Sequence, residues 1–437
     1  MEKTGEEFTF YHGGVILVLL AAVFLFGAVQ PAVLALIEAS IILLFATWWL
    51  MGKKEITLTP LFLPFTIFLI LGLAQVLPLP LPLVKLLSPK TVALKRELGF
   101  TSWWVSLSLV PALTLREWVR WVTMLLLYLL VVNLFQERKN LKRLLNSLLA
   151  LSLFEALYGL LLFATGSPTL LWYRNPDYVT NRVHGTYRNP DHFAGFMEMA
   201  VPLHLSQALT WRHPSLYTTE EKSKKILGLF LVVILTLSLF FSISRAGIVA
   251  FVASFAFWLF LYFREKTEKG APITGYLWLF LIVLGAYLLW IGLDPILARF
   301  FQTAETIEKG RILVWKDTIK MVRDFPIFGT GLGTYEHSFP IYKTFAQQVV
   351  FDHAHNDYLE LLAEGGIALI IPFLWGLWRA LRWSIHSSSS IITRGAATGM
   401  VAMLIHAFFD FNFHIPANAY IFFTLAGITW TATGWRR

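Results

Sequence analysis

Apolar residues arrive along this chain in nearly unbroken blocks separated by short polar or basic connections. Each block runs about 17 to 21 residues, enough for a helix rising ~1.5 Å per residue to cross a ~30 Å hydrocarbon core. The blocks predict spans at 14–29, 32–50, 60–77, 117–134, 144–164, 192–210, 226–243, 246–263, 273–292, 366–382, 395–411 and 416–433. No small-residue cleavage site follows the first block and a second block begins at once, so the first reads as a retained helix rather than a signal peptide. The expectation is an all-α, polytopic membrane protein with about twelve transmembrane helices. It forms a single membrane-embedded domain over 1–437, and its largest non-spanning piece, 294–365, is a helical loop between the ninth and tenth spans.

The connections set the orientation. With the N-terminus inside, the inner loops carry Lys53-Lys54, Arg138-Lys139 with Lys142-Arg143, and Lys222 with Lys224 and Lys225. The later ones carry Arg264 with Lys266 and Lys269, Arg379 with Arg382 and Arg394, and finally Arg436-Arg437. The short outer turns near Gln30 and Asn412 have no Lys or Arg. Positive charge on inner loops fixes the orientation, and an even span count puts both termini in the cytoplasm.

Three outer segments are longer. Residues 78–116 open with Pro78, Pro80 and Pro82, which end the third helix, and then run along the membrane surface. Residues 165–191 form a polar loop whose basic residues include Arg174, Arg182, His184 and Arg188, with His192 just beyond it. The loop 294–365 has helical patterning of its own. These outer loops also carry basic residues, and long loops escape the orientation rule, so an anionic substrate becomes an explanation for the excess.

Composition agrees with a membrane setting. The chain is 57% hydrophobic and 14% charged with a mean hydropathy of +0.63, against roughly a quarter charged in soluble domains. Several of its Trp residues (Trp48, Trp49, Trp211, Trp383, Trp435) sit at block ends, where interfacial aromatics collect. The absence of Cys excludes disulfides, thiolate metal sites and cysteine nucleophiles. A net charge of +9 reports loop orientation here and implies no nucleic-acid partner.

Three places stand out chemically. Arg245, in Ser242-Ile-Ser-Arg-Ala-Gly247, lies between two apolar blocks with only a two- or three-residue turn to spare. It is either an interfacial Arg that snorkels to water or a fixed cation at a helix N-terminus, where free N–H groups help bind phosphate. Arg311 follows Gly310, which is expected to end the preceding segment, and Ile312, Trp315 and Ile319 then recur at helical spacing. Arg311 is either a solvated helix residue or a planar fork for an anionic oxygen pair. The third is the densest cluster, Phe351-Asp-His-Ala-His-Asn-Asp-Tyr-Leu-Glu360, continuing to Glu364-Gly-Gly366. Asn356 or Asp357 can cap a helix there, and Gly365-Gly366 marks a break before the tenth span. His353 and His355 with Asp352 or Asp357 admit a metal reading, but no matching ligand set stands out. A general base, or a hydrogen-bonded structural His, are the other readings.

Secondary signals are Gly329-Thr-Gly-Leu-Gly333, which lacks the strand and Lys-Ser/Thr of a phosphate loop and reads as a turn. Glu38 and Glu155 lie inside spans and must face the bundle interior. His406, Asp410 and His414 sit at the outer end of the eleventh span, where they can help line a site.

Taken in order, these motifs resemble the O-antigen ligase and polymerase family of bacterial membrane glycosyltransferases. The resemblance rests on the span count, the late large outer loop, the Ser244-Arg-Ala-Gly247 helix start, Gly310-Arg-x3-Trp315 and His355-Asn-x2-Leu359. Gly185-Thr-Tyr-Arg-Asn-Pro-Asp-His-Phe-Ala-Gly195 and Val105-Ser-Leu-Ser-Leu-Val-Pro111 also look like family features. The resemblance implies a metal-independent, inverting GT-C-type enzyme of the bacterial inner membrane, needing no cofactor. It would move a glycan from an undecaprenyl diphosphate carrier to a sugar hydroxyl on the periplasmic face. In a ligase the acceptor is lipid A–core; in a polymerase it is another carrier-linked unit. Arg245 and Arg311, with Arg188 as a further contact, would bind the diphosphate, and His355 would activate the acceptor hydroxyl. His353 has no firm counterpart. From a different class, a transporter of polyprenyl-linked sugar would use Glu38 and Glu155 as coupling residues.

Overall fold

A computed structural model describes residues 10–52, 56–174, 181–209, 219–264, 304–346, 350–386 and 390–434, with scattered positions between 275 and 286. Most of the ninth predicted span, the start of the 294–365 loop, and the basic clusters at Lys53-Lys54, Lys266-Lys269 and Arg436-Arg437 therefore lie outside the described residues.

The described chain is helical almost throughout. Its helices are α1 (Phe10–Phe24), α2 (Pro31–Gly52), α3 (Phe62–Ala74), α4 (Leu81–Leu87), α5 (Pro89–Glu97), α6 (Pro111–Leu134) and α7 (Arg138–Thr165). There follow α8 (Pro190–Ala208), α9 (Thr219–Phe241), α10 (Arg245–Arg264), α11 (Ala304–Asp324), α12 (Asp357–His386), α13 (Ile391–His406) and α14 (Pro416–Thr431). Among the described residues six helices are long and apolar enough to cross a membrane, within α2, α6, α7, α9, α10 and α12, and α1, α3 and α13 are shorter apolar helices. Prolines begin α2, α5, α6, α8 and α14, where a missing N–H costs nothing.

Burial separates the helices into two kinds. In α8 and α14 nearly every residue is inside the molecule, polar ones included. By contrast, α2 exposes Leu36, Leu43, Trp49 and Leu50. Large apolar side chains on the outside suit hydrocarbon, so α2 faces lipid and α8, α13 and α14 form the centre. The central pair α8 and α13 approach closely: a Cβ at Gly399 would lie 2.7 Å from the Met199 carbonyl. Small residues permit this contact where no hydrophobic drive between helices exists.

Between α3 and α6 the chain makes a surface element rather than a span. Leu79-Pro80 pairs antiparallel with Trp104-Val105, enclosing α4 and α5. A second two-residue ladder joins Thr169-Leu170 to Tyr173-Arg174. Neither ladder was foreseen in an all-α chain, because two-residue strands leave no periodicity to read. Lys95 is tied into the surface element through Ser106 and the Ser108 carbonyl at 2.7–2.9 Å, and burial lowers its ammonium to about 8.

Two further readings are resolved. Gly310 does not end a segment: α11 runs through it unbroken. A helix tolerates one interior Gly at about 1 kcal/mol, and a stripe containing Val314, Trp315, Met321 and Phe325 holds the segment in place. Gly366, at φ 60°, ψ −166°, does break the helical path inside α12, so the outer turns that follow the histidine loop and the tenth span form one kinked helix.

Candidate functional site

The site forms where four segments meet at one end of the bundle: the 350–356 loop, the start of α12, the turn 407–415 between α13 and α14, and the start of α8. Asn356 caps α12, its Oδ1 accepting from Leu359 N at 3.0 Å. The Asp357 amide donates to the Ala407 carbonyl at 2.9 Å, and Asp357 Oδ2 accepts from Phe413 N at 3.1 Å, which docks α12 on the turn. Asn418 then links the turn to α8, donating to Asn412 Oδ1 at 2.8 Å and to the His192 carbonyl at 2.9 Å.

Within this frame lie two histidine–carboxylate systems. In the first, His355 Nδ1 is 3.1 Å from Asp410 Oδ1, and His192 Nε2 lies 4.0 Å from Asp410 Oδ2. Burial alone would raise the Asp410 carboxyl, but the His355 hydrogen bond and neighbouring imidazoles hold it well below the usual carboxylate range. An ionised Asp410 accepts the Nδ1 proton, which leaves the His355 Nε2 lone pair to face outward. His355 is 28% exposed and Asp410 only 3%, so the reactive edge meets solvent while its anchor does not. His355 also takes a left-handed φ of 51°, a conformation that fixes where the loop turns into α12.

In the second system Glu360, buried on α12, gathers three groups. Its Oε1 is 2.7 Å from His353 Nδ1 and 3.3 Å from His414 Nε2, and its Oε2 accepts from Ala354 N at 2.7 Å. His414 Nδ1 bonds in turn to Asp357 Oδ1 at 2.9 Å. Burial pulls His414 down, but the Glu360 and Asp357 carboxylates outweigh it and hold it at about 10, protonated. Phe411 joins the two systems: its ring stacks on His353 at 4.3 Å and meets the edges of His355 at 5.0 Å and His192 at 4.9 Å.

Behind these groups the glycine-rich 329–333 segment is a turn. Glu364 accepts from Gly333 N and Tyr335 N, each at 2.7 Å. Gln75, at the end of α3, donates to the Phe328 and Glu364 carbonyls and accepts from Leu332 N. Its backbone N–H groups are thus engaged by protein, which leaves no phosphate cradle. A cavity of about 20 Å³, room for about one water, lies between Glu117, Glu364, Asp357 and His414.

The three predicted arginines are placed as follows. Ser244 caps α10 through Gly247 N at 3.2 Å, and Arg245 is the first helical residue, beside the 182–188 loop that Val183 N bonds to the Phe241 carbonyl. Arg182 Nε reaches the Ser242 carbonyl at 2.6 Å and its Nη2 reaches Asp191 at 2.7 Å. Arg188 is exposed, two residues before α8. Arg311 is half-buried one turn before Trp315 on the same face of α11, and Trp315 Nε1 donates to the Ala354 carbonyl at 2.9 Å.

Asp410 and His414 were visible in the sequence only as part of a minor group, Glu360 only as a letter within a motif, and Phe411 not at all. Their neighbour His406 does not join them: it is fully buried against Glu198 at 2.9 Å. The metal reading changes its partners, because Asp352 is exposed, whereas ligand atoms of His353, Glu360 and His414 lie within 4.8 Å of one another. Those residue types suit a divalent cation, and the same atoms already satisfy one another by hydrogen bonding. Glu155, the candidate coupling residue, is committed to Thr186, from whose N and Oγ1 it accepts at 2.7 and 2.8 Å.

Long apolar helices around a buried centre, with histidines and carboxylates collected at one end, define a multi-pass membrane protein with a candidate acid–base site. Residues 230–374 match the family model described as O-Antigen ligase, which supports the resemblance to that family over this segment. That family comprises glycosyltransferase-like ligases and polymerases. The matched segment contains Arg245, Arg311 and His355, while Arg188, Asp410 and His414 fall outside it. No curated protein matches the chain.

Proposed function

We propose that the protein is an O-antigen ligase-type glycosyltransferase. It takes a glycan from undecaprenyl diphosphate and joins it to a sugar hydroxyl, lipid A–core in the ligase form, with inversion and without a metal. Twelve spans place both termini in the cytoplasm of a bacterial inner membrane, and the loop 294–365, part of a single domain over 1–437, carries its share of the site on the periplasmic face.

The observation that carries this reading is the His355–Asp410 pair, exposed at its Nε2 edge and held by a buried anion. A sugar diphosphate is already activated, so the chain's tasks are to place two substrates, stabilise the departing diphosphate and take one proton. His355 Nε2 takes the acceptor hydroxyl proton as its oxygen attacks the anomeric carbon, and Asp410 stabilises the imidazolium that forms. The bond from the anomeric carbon to the carrier phosphate breaks, and Arg245, Arg311 and Arg188 hold the freed diphosphate.

The test is reconstitution with a carrier-linked glycan and lipid A–core, with products separated on a gel. Transfer by the wild type, and its loss in membrane-inserted His355→Ala, is expected; full activity in that variant overturns the base assignment. Lengthened carrier-linked chains instead of loaded core identify the polymerase form of the same chemistry.

A further inference from the structure

His353 is a second imidazole at the site for which the base mechanism has no use. Its Nδ1 is fixed by Glu360 at 2.7 Å, and among the described residues nothing bonds its Nε2. Its side chain is 24% exposed while that of Glu360 is 1% exposed, the same division of outer edge and buried anchor as in His355 and Asp410. The intervening Ala354 is buried and pinned at both backbone groups, by Glu360 and by Trp315. Phe411 then holds both imidazoles against one ring, at 4.3 and 5.0 Å. The result is two outward Nε2 atoms in a fixed relation, each backed by its own buried carboxylate.

We propose that His353 positions the acceptor: its Nε2 hydrogen-bonds a second hydroxyl on the sugar whose neighbouring hydroxyl gives its proton to His355. This rests on the glycosyl-transfer reading above and deepens it, since it makes the preferred acceptor a sugar with two adjacent hydroxyls rather than an isolated alcohol. With Glu360 accepting from Nδ1 at 2.7 Å, Nε2 is left to accept from that hydroxyl. A neutral hydrogen bond of this kind changes binding roughly five- to tenfold. His353 takes no proton in the reaction, so its loss acts on acceptor recognition more than on turnover.

The experiment compares wild type with His353→Phe, which keeps a ring stacked on Phe411, and His353→Gln, which keeps a polar side chain toward Glu360. Transfer is measured on a native acceptor glycan and on one lacking the adjacent hydroxyl. In the wild type the deoxy acceptor should have a KM roughly five- to tenfold higher. In His353→Phe the native acceptor should show the same rise, the deoxy acceptor no further penalty, and kcat should stay within about threefold. A His353→Phe enzyme that still discriminates the two acceptors overturns the proposal, as does a loss of kcat with acceptor KM unchanged. Loss of wild-type activity on chelation, restored by zinc, also overturns it and makes His353, Glu360 and His414 cation ligands. If the wild type transfers no glycan at all, the glycosyl-transfer reading itself has failed; if it transfers and the variants match it, only the role of His353 has.

Discussion

Replacing Asp410 by Asn tests the acid–base site with a near-isosteric change. The carboxylate is 3.1 Å from His355 Nδ1 and only 3% exposed, so it is the anion that decides which imidazole nitrogen carries the proton. An amide can turn its NH2 toward Nδ1, which places the proton on Nε2 and removes the lone pair that takes the acceptor proton. It also leaves the imidazolium formed during transfer without a counter-ion. General-base assistance contributes about 10²- to 10⁴-fold in rate, equivalent to roughly 3–5 kcal/mol at 1.36 kcal/mol per decade. The expected outcome is a fall in kcat of about 10²- to 10⁴-fold with donor KM little changed, because the arginines proposed to hold the diphosphate lie elsewhere. The assay is initial-rate transfer in detergent or proteoliposomes, alongside thermal unfolding to establish that the variant is folded. A folded Asp410→Asn enzyme within about threefold of wild-type kcat would refute the reasoning, since that is far below the effect of losing a general base.

Three further outcomes follow from the same geometry. Arg311→Ala or Arg245→Ala should lower kcat by roughly 10²- to 10³-fold, and Lys at either position should restore only part of it because a point charge lacks the planar fork; equal rates for Lys and Arg would remove the bidentate contact. His414, raised from 6.5 to about 10, contributes stability that is complete below its unfolded value and is lost as pH rises through 10. Thermal stability in detergent should therefore decline between pH 7 and 10, and His414→Gln should flatten that decline; parallel curves would count against the buried imidazolium. Gly329, at φ 64° and packed on the Glu364 backbone, should not accept Ala: the conformation alone costs about 1–2 kcal/mol, and unchanged unfolding of Gly329→Ala would show that the turn has other solutions.

Most of the membrane architecture was legible because it depends on local composition. A block of apolar residues satisfies its own backbone hydrogen bonds as a helix wherever it sits, so the helix limits at α2, α8 and α14 fall close to the predicted spans. The same local logic read the Asn356 cap, the Gly366 break and the helix start at Arg245, each written within a few residues of the feature it controls. It also flagged His355, which stands in the densest polar cluster of the chain.

The sequence did not say which partner His355 would have. Asp410 lies 55 positions away, and His406, Asp410 and His414 looked alike as polar residues at the end of one span. Folding divides them: His406 goes inward to Glu198, Asp410 to His355, and His414 to Glu360 and Asp357. Spacing along a helix is set by covalent geometry, but the meeting of the loop, the start of α12 and the turn before α14 depends on how closely the central helices pack. The sequence alone therefore determined that the chain is a helical membrane protein and singled out the short polar motifs that are candidates for its chemistry. The tertiary structure decided which histidine is backed by which carboxylate, because a buried charge must find its counter-ion across the fold.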